Sequence, residues 1–215
     1  MIISFRAPLL KILHLRECHR IFYNGGFANA IKKLPLLEKL TLVNCYVDQE
    51  ALELLAKVCR CLQDFSLVHQ SRCDPYRFKR DDDNRKAFAI AKMHELHSLE
   101  LVGDYLGNEG LTTIVDSCPH LAYLRMCNCY NINMDASLTS KCARINMHYY
   151  EYFPPSNPCS CCSSPRFLGF TDDDYDPTIM TISLYHNLGD EIDGADFEEH
   201  ERIIDVKGMR RPWRI

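Results

Sequence analysis

Leu37-Glu38-Lys39-Leu40-Thr41-Leu42-Val43-Asn44-Cys45 places leucine at its first, fourth and sixth positions and cysteine at its ninth. Successive strand residues alternate between faces, so Leu40 and Leu42 share one side while Lys39, Thr41 and Val43 take the other. The phrase recurs as Leu10-x-x-Leu13-x-Leu15-x-x-Cys18, Leu62-x-x-Phe65-x-Leu67-x-x-Gln70, Leu96-x-x-Leu99-x-Leu101-x-x-Asp104 and Leu121-x-x-Leu124-x-Met126-x-x-Cys129. The five starts are 27, 25, 34 and 25 residues apart. A period of about 20 to 29 residues is that of a strand-plus-helix unit, the leucine-rich repeat. The predicted fold class is α/β, a leucine-rich-repeat solenoid bent into a horseshoe arc. A curved stack of this kind points to recognition rather than catalysis.

The stretch before each phrase is helical in pattern. Ten, seven, six and three residues before Leu37 stand Phe27, Ala30, Ile31 and Leu34; the same offsets give Leu52, Leu55, Ala56 and Cys59 before Leu62, and Leu111, Ile114, Val115 and Cys118 before Leu121. These are apolar stripes at i, i+3, i+4 and i+7. Before Leu96 the column reads Lys86, Ala89, Ile90 and Met93, and Phe88 is expected to fill the place that Lys86 cannot. Asp48 and Asn108 are the predicted N-caps, and Pro35 and Pro119 fall where helices stop.

Alternation also predicts which side chains line the concave face. Its columns read Ile12, Lys39, Asp64, Ser98, Tyr123, then His14, Thr41, Ser66, Glu100, Arg125, then Arg16, Val43, Val68, Val102, Cys127. Mixed charge without a basic stripe or stacked aromatics excludes nucleic acid and favours a protein partner. Lys39, Glu100, Tyr123 and Arg125 are the candidate partner-binding residues, because Tyr and Arg are favoured anchors. Alanine at Tyr123 and Arg125 is expected to weaken capture and leave folding stability nearly unchanged.

The formal net charge of -4 is uneven. From Thr171 onward acidic residues outnumber basic ones by seven, which leaves the first 170 residues at +3. So small a charge implies no bulk attraction to nucleic acid or membrane. No stretch approaches the ~20 apolar residues of a membrane span, and the start Met1 to Arg6 lacks the pattern of a signal peptide. The expected compartment is cytoplasmic, nuclear or both. Most of the twelve cysteines occupy repeat positions. Cys18, Cys45 and Cys129 end strand phrases, while Cys59, Cys118 and Cys142 close helices, so they read as small buried hydrophobes rather than disulfide partners.

Chemistry-bearing motifs are otherwise absent. Cys159-Ser160-Cys161-Cys162 follows Pro154-Pro155-Ser156-Asn157-Pro158 and lacks zinc-ligand spacing, so it reads as a free-thiol loop in a linker. Asp81-Asp82-Asp83 lies beside Lys79, Arg80, Arg85 and Lys86 and reads as a solvated charge run. The histidines have no mutual ligand spacing. No catalytic residue, metal or cofactor is expected. The segment from Gln70 to Lys86 adds about nine residues to the period, and an insertion of this kind emerges on one rim of a repeat stack, where it can reach over the concave face.

The runs Lys33 to Leu40, Asp81-Asp82-Asp83 with Ala87 to Ala91, Asn108-Glu109-Gly110-Leu111 to Cys118-Pro119-His120-Leu121, and Cys129-Tyr130-Asn131-Ile132-Asn133 together resemble the cysteine-containing repeats of plant F-box/LRR-repeat proteins. The resemblance covers roughly Leu9 to Arg144. It implies that the repeats capture a substrate, and that an N-terminal F-box of about 40 residues docks the Skp-type adaptor of a cullin ubiquitin ligase. Only nine residues precede Leu10, so the expectation is a chain without an F-box that does not bind the adaptor by itself. Its first repeat, without a cap, is expected to fray or self-associate.

Three segments follow from this reading: a leucine-rich-repeat domain of about five units over 1–147, a Pro/Ser/Cys-rich linker over 148–170, and an acidic, mostly disordered tail over 171–215. Within the tail, Ile179 to Tyr185 alternates as a strand would and is the one segment expected to add to the edge of the stack. The expected function is a protein-interaction module resembling the substrate-recognition arm of an SCF-type ubiquitin ligase. The alternative is a free-standing scaffold, or a truncated competitor with no ligase contact.

Overall fold

The computed structural model describes residues 9–18, 21–22, 25–69, 83–150 and 179–183. Each phrase of the sequence forms a five-residue strand: β1 Ile12–Arg16, β2 Lys39–Val43, β3 Asp64–Val68, β4 Ser98–Val102 and β5 Tyr123–Cys127. Between them run the helices α1 Gly26–Ile31, α2 Gln49–Val58, α3 Arg85–Ile90 and α4 Asn108–Ser117. Each strand pairs in parallel with the next, and the phrases stay in register, so that Leu13, Leu40, Phe65, Leu99 and Leu124 form one continuous row. A second row holds Leu15, Leu42, Leu67, Leu101 and Met126. All ten are at most 2% exposed. The helical columns close the core from the other side, where Phe27, Ile31, Leu52, Leu55, Ile90, Leu111 and Ile114 are buried.

A repeated turn follows the strands. Glu17, Asn44, Gly103 and Asn128 adopt left-handed φ of 57°, 51°, 67° and 57°. Side chains other than Gly and Asn rarely take this conformation. At Gly103 a Cβ would also come within 2.6 Å of the His69 carbonyl. The turn brings the ninth phrase residue inward: Cys45 donates to the Leu15 and Val43 carbonyls, and Cys129 to those of Leu101 and Cys127. Cys59 and Cys118, at the helix ends, donate back to the Leu34 and Met93 carbonyls of the preceding unit. Burial pushes the thiols of Cys59 and Cys129 up to about 12 and that of Cys118 up to about 11. All eight described cysteines are free thiols.

Two local expectations change. Asp48 caps α2 by accepting from the Ala51 amide, but Asn108 is the first helical residue and Gly107 takes the cap position of α4. The Asn108 side chain instead exchanges hydrogen bonds with the backbone of Asn133, one unit downstream, at 2.7 and 2.8 Å. At Lys86 the interior is filled by the adjacent Ala87, 1% exposed, and Phe88 stays half-buried. Gly110 approaches so closely there that a Cβ would lie 2.8 Å from that of Ala87.

Both ends of the sheet carry strands outside the five phrases. Helix α5, Ala136–Cys142, leads into β6, Asn146–Tyr150, which pairs with β5. Arg144 stands where a leading leucine would be, and its guanidinium donates to the carbonyls of Val115, Cys118, Pro119 and Leu121. At the opposite end β7, Ile179–Ser183, lies parallel to β1, so the order is β6-β5-β4-β3-β2-β1-β7. The expectation of an uncovered first repeat is therefore corrected: an edge strand carries a row of unpaired backbone groups, and a segment of the same chain pairs them. The expectations for the segment before Leu9, the insertion at 70–82, the Cys159 cluster and the rest of the acidic tail lie outside the described residues.

Candidate protein-binding face

The face opposite the helices carries the predicted columns, but alternation fixes only the side of the sheet and not the depth. Val43, Val68, Val102 and Cys127 form a second, small apolar cluster and are buried. Thr41 and Glu100 are buried as well, at 1% and 8% exposure. Strands stand only about 4.8 Å apart, so short side chains in the middle of the sheet are closed over by their neighbours. The third column therefore contributes packing rather than contact area, with Arg16 the exception that remains half-buried.

Three of the four candidate residues come together. Tyr123 and Arg125 lie two residues apart on β5, and Glu100 stands opposite Arg125 on β4. The Arg125 guanidinium donates to the Glu100 carboxylate, whose side chain is 11% exposed against 23% for Arg125. Lys39 does not join them. It occupies the Tyr123 row on β2, three strands and so about 14 Å away, beside Asp64.

The ion pair also corrects the expectation that Arg125 is replaceable without a cost in stability. Removing the guanidinium leaves Glu100 as a buried charge with its partner gone, an arrangement that costs about 3–5 kcal/mol in a closed interior and less at this partial exposure.

A fourth member of the group escaped the sequence reading. His148 on β6 stands opposite Arg125, and its ring lies 5.5 Å from that of Tyr123 at a 44° tilt. The result is a half-buried patch of phenol, imidazole and guanidinium on adjacent strands, supported from below by Glu100. The signal for His148 was faint, because the sixth unit has Arg144, Met147 and Tyr149 where the other five carry the phrase leucines.

Two carboxylates outside the patch serve local structure. Asp83 receives a two-pronged bond from Arg85, both contacts at 2.9 Å, which holds its carboxyl below the usual carboxylate range. Asp104 takes the ninth phrase position and accepts from the Leu106 amide, while burial pushes its carboxyl above that range. The pKa of His14, half-buried on β1, is lowered to about 4 by desolvation and then by nearby Lys39, so the ring is neutral at pH 7. Among the described residues no three His, Cys, Asp or Glu side chains are grouped to hold a metal ion, and no helix is long and apolar enough to cross a membrane.

No model of a known protein family matches the chain. Individual relatives do. The chain is 38% identical to the Arabidopsis thaliana protein named Putative F-box/LRR-repeat protein 23, over 144 residues that make up 66% of this chain and 31% of the relative. F-box protein SKIP19 from the same plant is 33% identical over 65% of this chain and 43% of its own length. Putative F-box/LRR-repeat protein 22, also from Arabidopsis thaliana, is 36% identical over 54% of this chain and 36% of its own. The chain thus spans 31% to 43% of the length of these relatives.

Proposed function

We propose that this chain, a member of the plant F-box/LRR-repeat family, is a protein-recognition module: its repeats form an arc-shaped solenoid whose inner face captures a protein substrate for an SCF-type ubiquitin ligase. The observation that carries the reading is the patch of Tyr123, His148 and Arg125 on adjacent strands. Aromatic residues and arginine are enriched at the energetic centres of protein interfaces. Because Glu100 neutralises Arg125, the patch offers rings and a planar donor rather than the uncompensated positive field that a nucleic-acid backbone needs. Lys39, in the same row about 14 Å away, supplies a separate cation for an acidic group of an extended partner. In this reading the repeats hold the substrate, and contact with a Skp-type adaptor is made by an F-box rather than by the repeats.

The test compares proteins captured from cell extract by the wild-type chain and by a Tyr123→Ala/His148→Ala variant, which leaves the Glu100–Arg125 pair intact. A partner bound by the wild type should be depleted at least ten-fold with the variant, at an unchanged melting midpoint. Equal capture by both removes this face from the proposal. Loss of the partner's ubiquitination in cells that lack this protein supports the ligase arm, and unchanged ubiquitination favours the free-standing scaffold.

A further inference from the structure

Among the described strands, β7 is the one that does not lie beside its neighbour in sequence. The chain leaves β6 at Tyr150 and re-enters the sheet at Ile179, six strand spacings away, a span of about 29 Å. The 28 intervening residues reach up to about 92 Å when extended, so the connection permits the placement without dictating it. Something other than chain length selects β1.

Register supplies part of the answer. Met180 stands opposite Leu13 and Ile182 opposite Leu15, so β7 prolongs both phrase rows by one position. Charge supplies the rest. Residues 1–39 hold seven basic and two acidic side chains, a net +5, whereas Thr171 to Glu201 holds eleven carboxylates and no Lys or Arg. Asp172, Asp173, Asp174 and Asp176 precede Ile179, and Asp190 and Glu191 follow Ser183, while the five strand residues are uncharged. Around β1, Lys11 pairs with Glu38 and Arg16 with Glu17, while Lys32, Lys33 and Lys39 take part in no ion pair among the described residues. At the β6 end the cations are committed: Lys141 pairs with Asp116 at 2.5 Å, and Arg144 binds four carbonyls. The larger net positive charge of residues 1–39 makes the β1 edge the more attractive one for an acidic-flanked strand.

We propose that the outer edge of β1 is a strand-docking surface for extended peptides that carry aliphatic residues at alternate positions between flanking carboxylates, with β7 as its tethered, displaceable occupant. Main-chain pairing supplies the affinity, and the two aliphatic positions with the basic surroundings supply the selectivity. The tether holds β7 at high effective concentration, so an outside peptide competes only when it is abundant or when the tail is drawn away. This site is independent of the Tyr123 patch, which lies at the opposite end of the sheet.

The test inserts a protease site between residues 160 and 170 of the full chain, which keeps β7 native and cuts only the tether. The probe is a labelled synthetic peptide of residues 171–190. After cleavage the peptide should bind one-to-one, at least ten-fold more tightly than to the uncut chain, and more weakly in 500 mM than in 50 mM NaCl. A control peptide carrying M180D and I182D should not bind. Failure of the labelled peptide to enter the cut chain at any salt concentration overturns the proposal, as does equal binding to cut and uncut chains or equal binding of the control. A dimer of the uncut chain that the peptide dissolves makes a second copy the occupant and overturns the tethered arrangement.

Discussion

Replacing Leu99 by alanine tests the register on which every placement above depends. Leu99 is fully buried, with Phe65 on one side and Leu124 on the other in the same row of the parallel sheet. The substitution removes three carbon atoms, a transfer loss of about 2.4 kcal/mol at ~0.8 kcal/mol each. A cavity term adds to it, because the flanking strands are held by their ladders and cannot collapse into the space. Leucine-to-alanine changes in cores cost about 2–5 kcal/mol, and a site fixed on both sides belongs in the middle of that range, at about 3–4 kcal/mol. The control is Ser98→Ala on the other face, expected to stay within about 0.5 kcal/mol. Urea unfolding followed by far-ultraviolet circular dichroism reads both. With a slope of about 2 kcal/mol per molar, the midpoint should fall by about 1.5–2 M for Leu99→Ala and by less than about 0.3 M for Ser98→Ala. Equal shifts would refute the phasing, since a one-residue slip exchanges the two faces.

Three further outcomes follow from the polar groups. His14, with its pKa lowered to about 4 by burial and then by Lys39, takes up a proton in the unfolded chain first. Stability should therefore fall as pH drops from about 6.5 to about 4, by at most about 3 kcal/mol, and His14→Asn should flatten that slope in thermal melts. Asp104 has the opposite sign, because burial raises its folded-state pKa and its charged form is disfavoured at neutral pH. Asp104→Asn keeps an acceptor for the Leu106 amide, so it should raise the melting point at pH 7, and the gain should vanish in acid where both side chains are neutral. Arg144→Ala should cost about 1–2 kcal/mol by releasing the carbonyls at the end of α4. Arg144→Lys should recover little of it, since an ammonium lacks the planar fork.

The rows of leucines were legible because a strand puts every second residue on one side and a fixed period repeats that choice with each unit. The cysteine positions were legible for the same reason, and the structure places their thiols on carbonyls of neighbouring units. Depth on the face opposite the helices was not legible. Whether Val43 or Lys39 stands clear of the sheet depends on the length of its neighbours' side chains, which alternation does not encode. Asn108 shows a related limit, since a long-range bond to Asn133 displaced the local capping that its position suggested. The sixth strand was hidden because terminal positions do a different job. Arg144 and Tyr149 stand where leucines would be, and the Tyr149 hydroxyl reaches the Cys129 and Ile132 carbonyls at 3.4 and 3.3 Å.

The two ends of the array are closed by unequal means, and that inequality predicts where it opens. In a stack of units each element is held by its own intrinsic stability and by its neighbours, so interior strands have two interfaces and end strands depend on whatever covers them. At the β6 end the cover is a full unit: helix α5 buries Leu138 and Cys142, and Arg144 and Tyr149 tie six carbonyls of the preceding unit. At the β1 end the cover is β7, five residues paired with β1. Local opening costs less where less is closed, so native-state hydrogen exchange should rank the amides of β7 as least protected, those of β1 as intermediate, and those of β3 to β5 as most protected. On the docking proposal, raising the salt concentration should lower the protection of β1 and leave that of β5 unchanged, because salt screens the attraction between the carboxylates that flank β7 in sequence and the net positive charge of residues 1–39. Protection of the Leu13 and Leu15 amides equal to that of Leu99 and Leu101 at every salt concentration would show that β7 is a permanent part of the sheet, and the displaceable-strand proposal would fall with it.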